Sequence, residues 1–275
     1  MDNWDDLRFV LALARYGSMN QAARHLRTNT ATVSRRIRRI NETHGSALFI
    51  KGQNDWHMTD AGRAVYDVAA RLADDLVGLE SLQPQPTGEV RVVRVTSLDY
   101  LVTEVLAEGL PDFARSHPDV ILELSATDAN LSLAYGEADV AVRLTRPTEG
   151  RLVARRIAQL RMGVFGGDRG AEGWIGLPFD LDWTPEMKNG LAHYGRAPAA
   201  RLASFHAILS AAAIWGLGAV APEFMAAGHA ALRSRQDRAL MPQREVWMVL
   251  HETRKSDQIL REVCRWIEQR FQGLQ

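Results

Sequence analysis

Apolar residues in the first eighty positions recur every three or four residues, the spacing that lines one face of a helix. Leu7, Val10, Leu11 and Ala14 predict a helix over residues 5–16. Gly17 suits a chain reversal, and Ser18 followed by Gln21 has the spacing of a capping box. A second helix starts there, with Ala22, Ala23 and Leu26 on its inner face. Arg27, Thr28 and Asn29 form a polar turn in which Asn29 or Thr30 caps a third helix. Val33, Ile37 and Ile40 share one face of that helix and are the buried set. At about 100° per residue the opposite face carries Ala31, Thr32, Arg35, Arg38 and Arg39, with Thr30 and Ser34 at its edges. Residues 48–50 and 56–58 then read as two short strands of a hairpin with a polar tip over 51–55.

Residues 59–82 hold no proline. Thr59 is placed to cap a helix, Asp60 favours its positive end, and Ala61, Val65, Val68, Leu72, Leu76 and Leu79 recur at steps of three and four. The pattern predicts a helix about 36 Å long with a coiled-coil-like stripe. That stripe either packs on its own domain or pairs two copies of the chain. A helix leading away from a compact unit has to cover its stripe, which favours the pairing through Val65, Val68, Leu72, Leu76 and Leu79. Pro84, Pro86 and Gly88 mark a hinge over 84–88.

Beyond residue 88 strands alternate with helices. Strands are expected at 90–95, 120–125 and 138–144, with helices at 101–115 and near 130–135. A second unit has strands at 162–165, 174–177, 218–221 and 245–250, and helices at 204–215 and 256–271. This alternation predicts two α/β lobes with mainly parallel sheets and a cleft between them. The expected organisation is a winged helix-turn-helix at 1–58, a linker and dimerisation helix at 59–83, a hinge at 84–88 and the two-lobed α/β domain at 89–275. Lobe I takes about 89–157 and 252–275, and lobe II about 158–251.

Charge gives the first half its chemistry. The 275-residue chain has 33 Lys and Arg against 33 Asp and Glu, a net charge of zero. Between Asn20 and Lys51, however, Arg24, Arg27, Arg35, Arg36, Arg38, Arg39 and Lys51 face Glu42 alone, a net of +6. A neutral chain with its positive charge gathered on one helix pair has an electrostatic footprint for the phosphates of double-stranded DNA. The competing reading, a merely solvated face, leaves that concentration unexplained. Thr30, Ala31, Thr32, Ser34, Arg35, Arg36, Arg38, Arg39 and Lys51 are the candidate DNA-binding residues, with Arg35 expected at base edges and Arg36, Arg39 and Lys51 at phosphates.

Composition narrows the remaining classes. With 46% hydrophobic and 24% charged residues the chain can bury a substantial core. The single Cys264 sits in the apolar stripe Ile259, Leu260, Val263, Ile267 and Phe271, so it reads as core filling. Asp2, Asp5 and Asp6 make the start of the chain acidic, without the apolar stretch of a signal peptide, and no apolar run reaches the length of a membrane span. A cytoplasmic protein without membrane contact is expected. No phosphate-binding loop, H-E-x-x-H or G-x-S-x-G occurs, and the eight histidines are scattered. The chain does not read as an enzyme, and no metal or cofactor is called for.

The runs DLRFVLALARYGSMNQAARHL, TATVSRRIRRI, GSALF and MTDAG resemble the N-terminal domain of LysR-type transcriptional regulators, over about the first 65 residues. The second half resembles the effector domain of the same family through residues 94–97, Phe113 with His117 and Pro118, residues 136–143 and residues 216–222. The resemblance implies a two-lobed fold similar to periplasmic solute-binding proteins, a small-molecule effector, homodimers or homotetramers, and RNA polymerase as a further partner. The family often has Gln at the position of Thr30, Pro at Ala31, Glu at Asn41 and Arg at Lys51. It also usually carries a further helix and loop after Phe165, where residues 166–173 here imply a trimmed second lobe.

In open α/β sheets ligands sit at the carboxyl ends of strands against helix N-termini. Thr96, Ser97, Thr127, Arg143 and Ser204 fall at such places and are the candidate effector contacts. Each hydroxyl singly also suits a helix cap. The overall expectation is a sequence-specific DNA-binding regulator modulated by an effector between its lobes; the alternative is a constitutive or architectural DNA-binding regulator without one.

Overall fold

The computed structural model describes residues 4–52, 55–81, 90–126, 138–147, 151–167 and 173–274. The chain divides into two compact units, Met1–Gln83 and Pro84–Gln275.

In the first unit the helices are α1 (Trp4–Tyr16), α2 (Met19–His25) and α3 (Thr30–His44). Val10, Leu13, Ala22, Val33, Ile37 and Ile40 form their shared core. Asn29 caps α3 by accepting from the Thr32 amide at 2.8 Å, an interaction worth about 1 kcal/mol. Gly45, at φ 76°, ends the helix in the left-handed conformation. Ser18 stands at the N-cap position of α2, but its side chain makes no capping bond, so the capping box does not form. Strands β1 (Phe49–Lys51) and β2 (Trp56–Met58) pair antiparallel. Gln53 and Asn54 of the expected wing tip lie outside the described residues.

Helix α4 (Asp60–Ser81) is pinned where it starts. Thr59 Oγ1 accepts from the Gly62 amide at 3.0 Å and donates to the Ala47 carbonyl at 2.8 Å. A Cβ on Gly62 would stand 2.0 Å from the Leu48 carbonyl oxygen, so the helix meets the hairpin by backbone contact. The apolar stripe of α4 divides into two faces. Val65, Ala69 and Ala73 are buried in the unit, where α4 packs on α1. Val68, Leu72 and Leu76 are exposed at 52%, 39% and 38%. Val65 therefore belongs to its own domain's core and leaves the expected seam, while the Leu79 side chain lies outside the described ones.

The second unit is built on nine strands in which parallel and antiparallel pairs mix. In the first lobe β3 (Arg91–Ser97) pairs parallel with β4 (Val120–Ala126) and β5 (Val140–Arg143). In the second, β7 (Trp174–Gly176) pairs parallel with β8 (Ala200–Arg201) and β9 (Gly218–Pro222). The antiparallel pairs come from two long strands. The first, β6 (Leu152–Gly166), pairs with β11 (Gln243–His251) over its first part and with β9 over its last. Strand β11 also pairs with β5, which places it in the first lobe's sheet. Short β10 (Arg233–Ser234) pairs with the end of β6. The expectation of mainly parallel sheets fails because β6 and β11 run side by side in opposite directions between the lobes.

After β3 the chain is helical in four successive forms: α5 (Asp99–Leu101), a π turn (Val102–Leu106), a 3₁₀ turn (Ala107–Gly109) and α6 (Leu110–Ser116). Arg270 Nε donates at 3.1 Å to the Val105 carbonyl inside the π turn, satisfying an acceptor there. The second lobe holds α7 (Pro185–Tyr194), α8 (Phe205–Trp215) and α9 (Glu223–Ala226), and the C-terminal helix is α10 (Gln258–Phe271). Leu260, Val263, Ile267 and Phe271 of α10 are buried. Beside them burial, with Glu268 nearby, pushes the Cys264 thiol up to about 11, which makes it a poor nucleophile. The hinge at 84–88, the helix expected near 130–135 and residues 168–172 lie outside the described residues. No described helix is long and apolar enough to cross a membrane.

Candidate DNA interface and effector cleft

The outward face of α3 separates into bound and unbound arginines. Arg36 Nη1 donates to Asp6 Oδ1 at 2.8 Å, and Arg39 forms a close two-oxygen pair with the same carboxylate. Arg36 also lies 3.8 Å from Asp5 and over the Phe9 ring at 5.5 Å. Burial alone would raise the Asp6 carboxyl, but the hydrogen bonds and charges of Arg39 and Arg36 outweigh it and hold the group below its usual range. The same hydrogen bond to Asp6 raises Arg39. Arg36 and Arg39 are thus committed to α1, which corrects their expected role as phosphate contacts. Asp6 was not legible as a partner because it lies 30 residues from Arg36 in the chain.

Arg35 and Arg38 are exposed and carry no ion pair among the described residues. Ala31 and Ser34 are exposed on the same face, and Thr32 is half-buried. Thr30 donates its hydroxyl to Asn20 Oδ1 at 2.9 Å, so that proton braces α2 against α3. Lys51 is exposed at the end of β1, where Asp55 and His57 of the hairpin approach each other at 3.0 Å.

In the second unit the expected effector hydroxyls have partners inside the protein. Thr96 and Ser97 are fully buried. Thr96 Oγ1 accepts from Arg143 Nη2 at 3.0 Å, and Ser97 Oγ donates to the Val142 carbonyl at 3.1 Å. Arg143 Nη1 donates to the same carbonyl at 3.0 Å. These three side chains lock β3 to β5 and do not stand open to a ligand, a correction to the expected direct contacts. Ser204 does take the N-cap position of α8, half-buried and without a capping bond from its hydroxyl. Thr127 lies outside the described residues.

What faces Ser204 across the cleft is the segment just after β3. Tyr100 packs edge-on against Phe205 at 5.2 Å and lies 6.4 Å from Phe224. Beside them His206 Nε2 meets Glu104 Oε1 at 2.7 Å, and its Nδ1 is 3.9 Å from Asp99. Tyr100 and Phe205 are nearly buried, at 6% and 7% exposure, whereas His206 and Glu104 are partly open. The start of the helical run in one lobe and the start of α8 in the other therefore meet through an apolar ring cluster edged by charge. Sequence reasoning missed these residues, since nothing in their local pattern pairs positions about 100 apart.

The bacterial regulatory helix-turn-helix model of the lysR family matches residues 4–63, and the LysR substrate binding domain model matches residues 86–272. The chain is 30% identical to the Mau operon transcriptional activator of Paracoccus denitrificans over 98% of its own length and 96% of that protein. It is 26% identical to the regulator PtxR of Pseudomonas aeruginosa over 58% of its length and 51% of that protein. Among solved structures, ArgP of Mycobacterium tuberculosis matches with a TM-score of 0.60 at 16% identity, covering 100% of this chain and 98% of that one. CrgA of Neisseria meningitidis, a LysR-type transcriptional regulator, matches with a TM-score of 0.55 at 17% identity, covering 99% and 100%. The family consists of transcriptional regulators rather than enzymes, and the chain belongs to it: it is a LysR-type transcriptional regulator with a helix-turn-helix DNA-binding domain and a two-lobed substrate-binding domain.

Proposed function

We propose that this regulator reads its operator through the face of α3 formed by Ala31, Thr32, Ser34, Arg35 and Arg38, with the Thr30 oxygen at its edge and Lys51 at a flanking phosphate. The observation that carries this reading is the pair of exposed arginines, Arg35 and Arg38, one helical turn apart beside small side chains that leave room for base edges. Ala31 and Thr30 stand where many relatives have Pro and Gln, so the operator preference differs from theirs. Two copies joined along Val68, Leu72 and Leu76 of α4 present two such faces, which read half-sites about 34 Å apart or a multiple of it.

A small polar effector acts at the cleft edged by Ser204, His206, Glu104 and Tyr100. Its binding favours one arrangement of the lobes, and the residues from 59 to 88 carry that arrangement to the spacing of the DNA-binding heads. The working division of the chain is a DNA-binding domain at 1–58, a linker helix at 59–83, a hinge at 84–88 and an effector domain at 89–275. The protein acts in the cytoplasm, and contact with RNA polymerase follows from where it sits on the promoter.

The experiment is nuclease protection of promoter fragments by the full chain. The expected footprint is two protected patches on one face of the duplex, centred one or more helical turns apart. Uniform protection indifferent to sequence overturns the reading.

A further inference from the structure

Asp6 is a nearly buried carboxylate, 6% exposed, in the first turn of α1. Two of the four arginines of the recognition helix converge on it. Arg39 remains about half exposed and Arg36 about a quarter. Neither guanidinium is sequestered from solvent, yet both are held by a fixed charge of opposite sign, with Asp5 and the Phe9 ring adding to the hold on Arg36. An arginine already paired within the protein contributes little to counterion release, which is the source of sequence-independent affinity for DNA. Arg35 and Arg38, which have no such partner among the described residues, retain that capacity. The helix therefore displays about half the positive charge that its sequence suggests.

We propose that Asp6 is a specificity-determining residue: by holding Arg36 and Arg39 off the phosphate backbone, it lowers affinity for random DNA and so widens the ratio between operator and non-operator binding. Specificity in the cell depends on that ratio more than on operator affinity alone, because non-specific sites vastly outnumber operators. The acidic turn of α1 acts as an internal counterion for the recognition helix. This rests on the reading of α3 as the DNA-contacting helix.

The test measures binding of the full chain to a random-sequence duplex over a range of salt concentrations. For Asp6→Asn the expected result is tighter binding at low salt, by threefold or more. The slope of log K against log salt should steepen by about 0.9 for each arginine released, up to about 1.8. Asp6→Glu should keep the wild-type slope, and Asp6→Asn combined with Arg39→Gln should return most of the way to it. A general loss of structure weakens binding and does not steepen the slope, so it is distinguished from the proposed role. An unchanged slope in folded Asp6→Asn overturns the proposal. Arg39→Gln alone tests the same point in a chain that keeps Asp6: the slope should stay within 0.3 of wild type, and a drop of about 0.9 overturns the proposal even where Asp6→Asn does not fold. Wild-type protein that binds no duplex at all would instead overturn the DNA-reading assignment itself.

Discussion

Tyr100 of the first lobe lies edge-on to Phe205 of the second with ring centroids 5.2 Å apart, and this contact outweighs the ion pair beside it. His206 and Glu104 are each more than a third exposed, so their pairing contributes under about 1 kcal/mol. Truncating a buried aromatic costs about 3 kcal/mol or more. Tyr100→Ala should accordingly destabilise the effector unit by about 3 kcal/mol and loosen lobe closure, whereas His206→Ala should stay below about 1 kcal/mol. Urea unfolding gives the energies, and X-ray scattering reads closure as an increase in radius of gyration for Tyr100→Ala alone.

The two faces of α4 make opposite predictions. Leu72 is 39% exposed and Val65 is buried. Leu72→Glu should shift the protein toward monomer with little change in the stability of the N-terminal unit. Val65→Ala should leave assembly intact and cost about 2 kcal/mol of stability. Light scattering and thermal melting separate the two.

Gly62 sits in a helix, where alanine is ordinarily better by about 1 kcal/mol. Here the added methyl would stand 2.0 Å from the Leu48 carbonyl oxygen, and that atom is backbone. Gly62→Ala should destabilise the N-terminal unit despite its improved propensity. A melting temperature equal to or above wild type would contradict this packing.

Asp257 links three parts of the first lobe: it pairs with Arg91 at the start of β3, lies 3.3 Å from Arg254, and caps α10 by accepting from the Leu260 amide at 3.2 Å. Burial pushes its carboxyl upward, but Arg91, the Leu260 amide and Arg254 together hold it below the ordinary carboxylate value. A carboxyl lowered on folding stabilises the native state above its unfolded pKa of about 3.9 and loses that contribution as the pH falls through the folded value. Asp257→Asn should therefore cost about 2 kcal/mol at pH 7, with the gap from wild type closing below about pH 4. Urea titrations at pH 7, 5 and 3 measure the gap.

The periodic elements were legible in the sequence because their pattern is local. Val33, Ile37 and Ile40 mark the buried face of α3, and Leu260, Val263 and Ile267 that of α10. Most of β6 was not, because its first ten residues carry Arg155, Arg156, Gln159 and Arg161 on open faces and lack an apolar run. Helix α7 was hidden by Pro185 and Gly190, which read as breakers, although Pro185 occupies the first turn, where proline is tolerated. At the sites, residue type placed Arg35 and Arg38 correctly on the outer face of α3. The partners of Arg36, Arg39, Thr96 and Ser97 are tertiary, and they decide which of those side chains remain open to DNA or a ligand.

The central claim, that α3 reads base sequence through Arg35, is tested most directly by selecting binding sites from a random duplex pool with wild-type protein and with Arg35→Ala. The account predicts a two-fold symmetric motif for the wild type and, for the variant, lost preference at one symmetric pair of positions, with binding to that site weaker by about 1–3 kcal/mol. The same motif with the same information at every position from both proteins would contradict it.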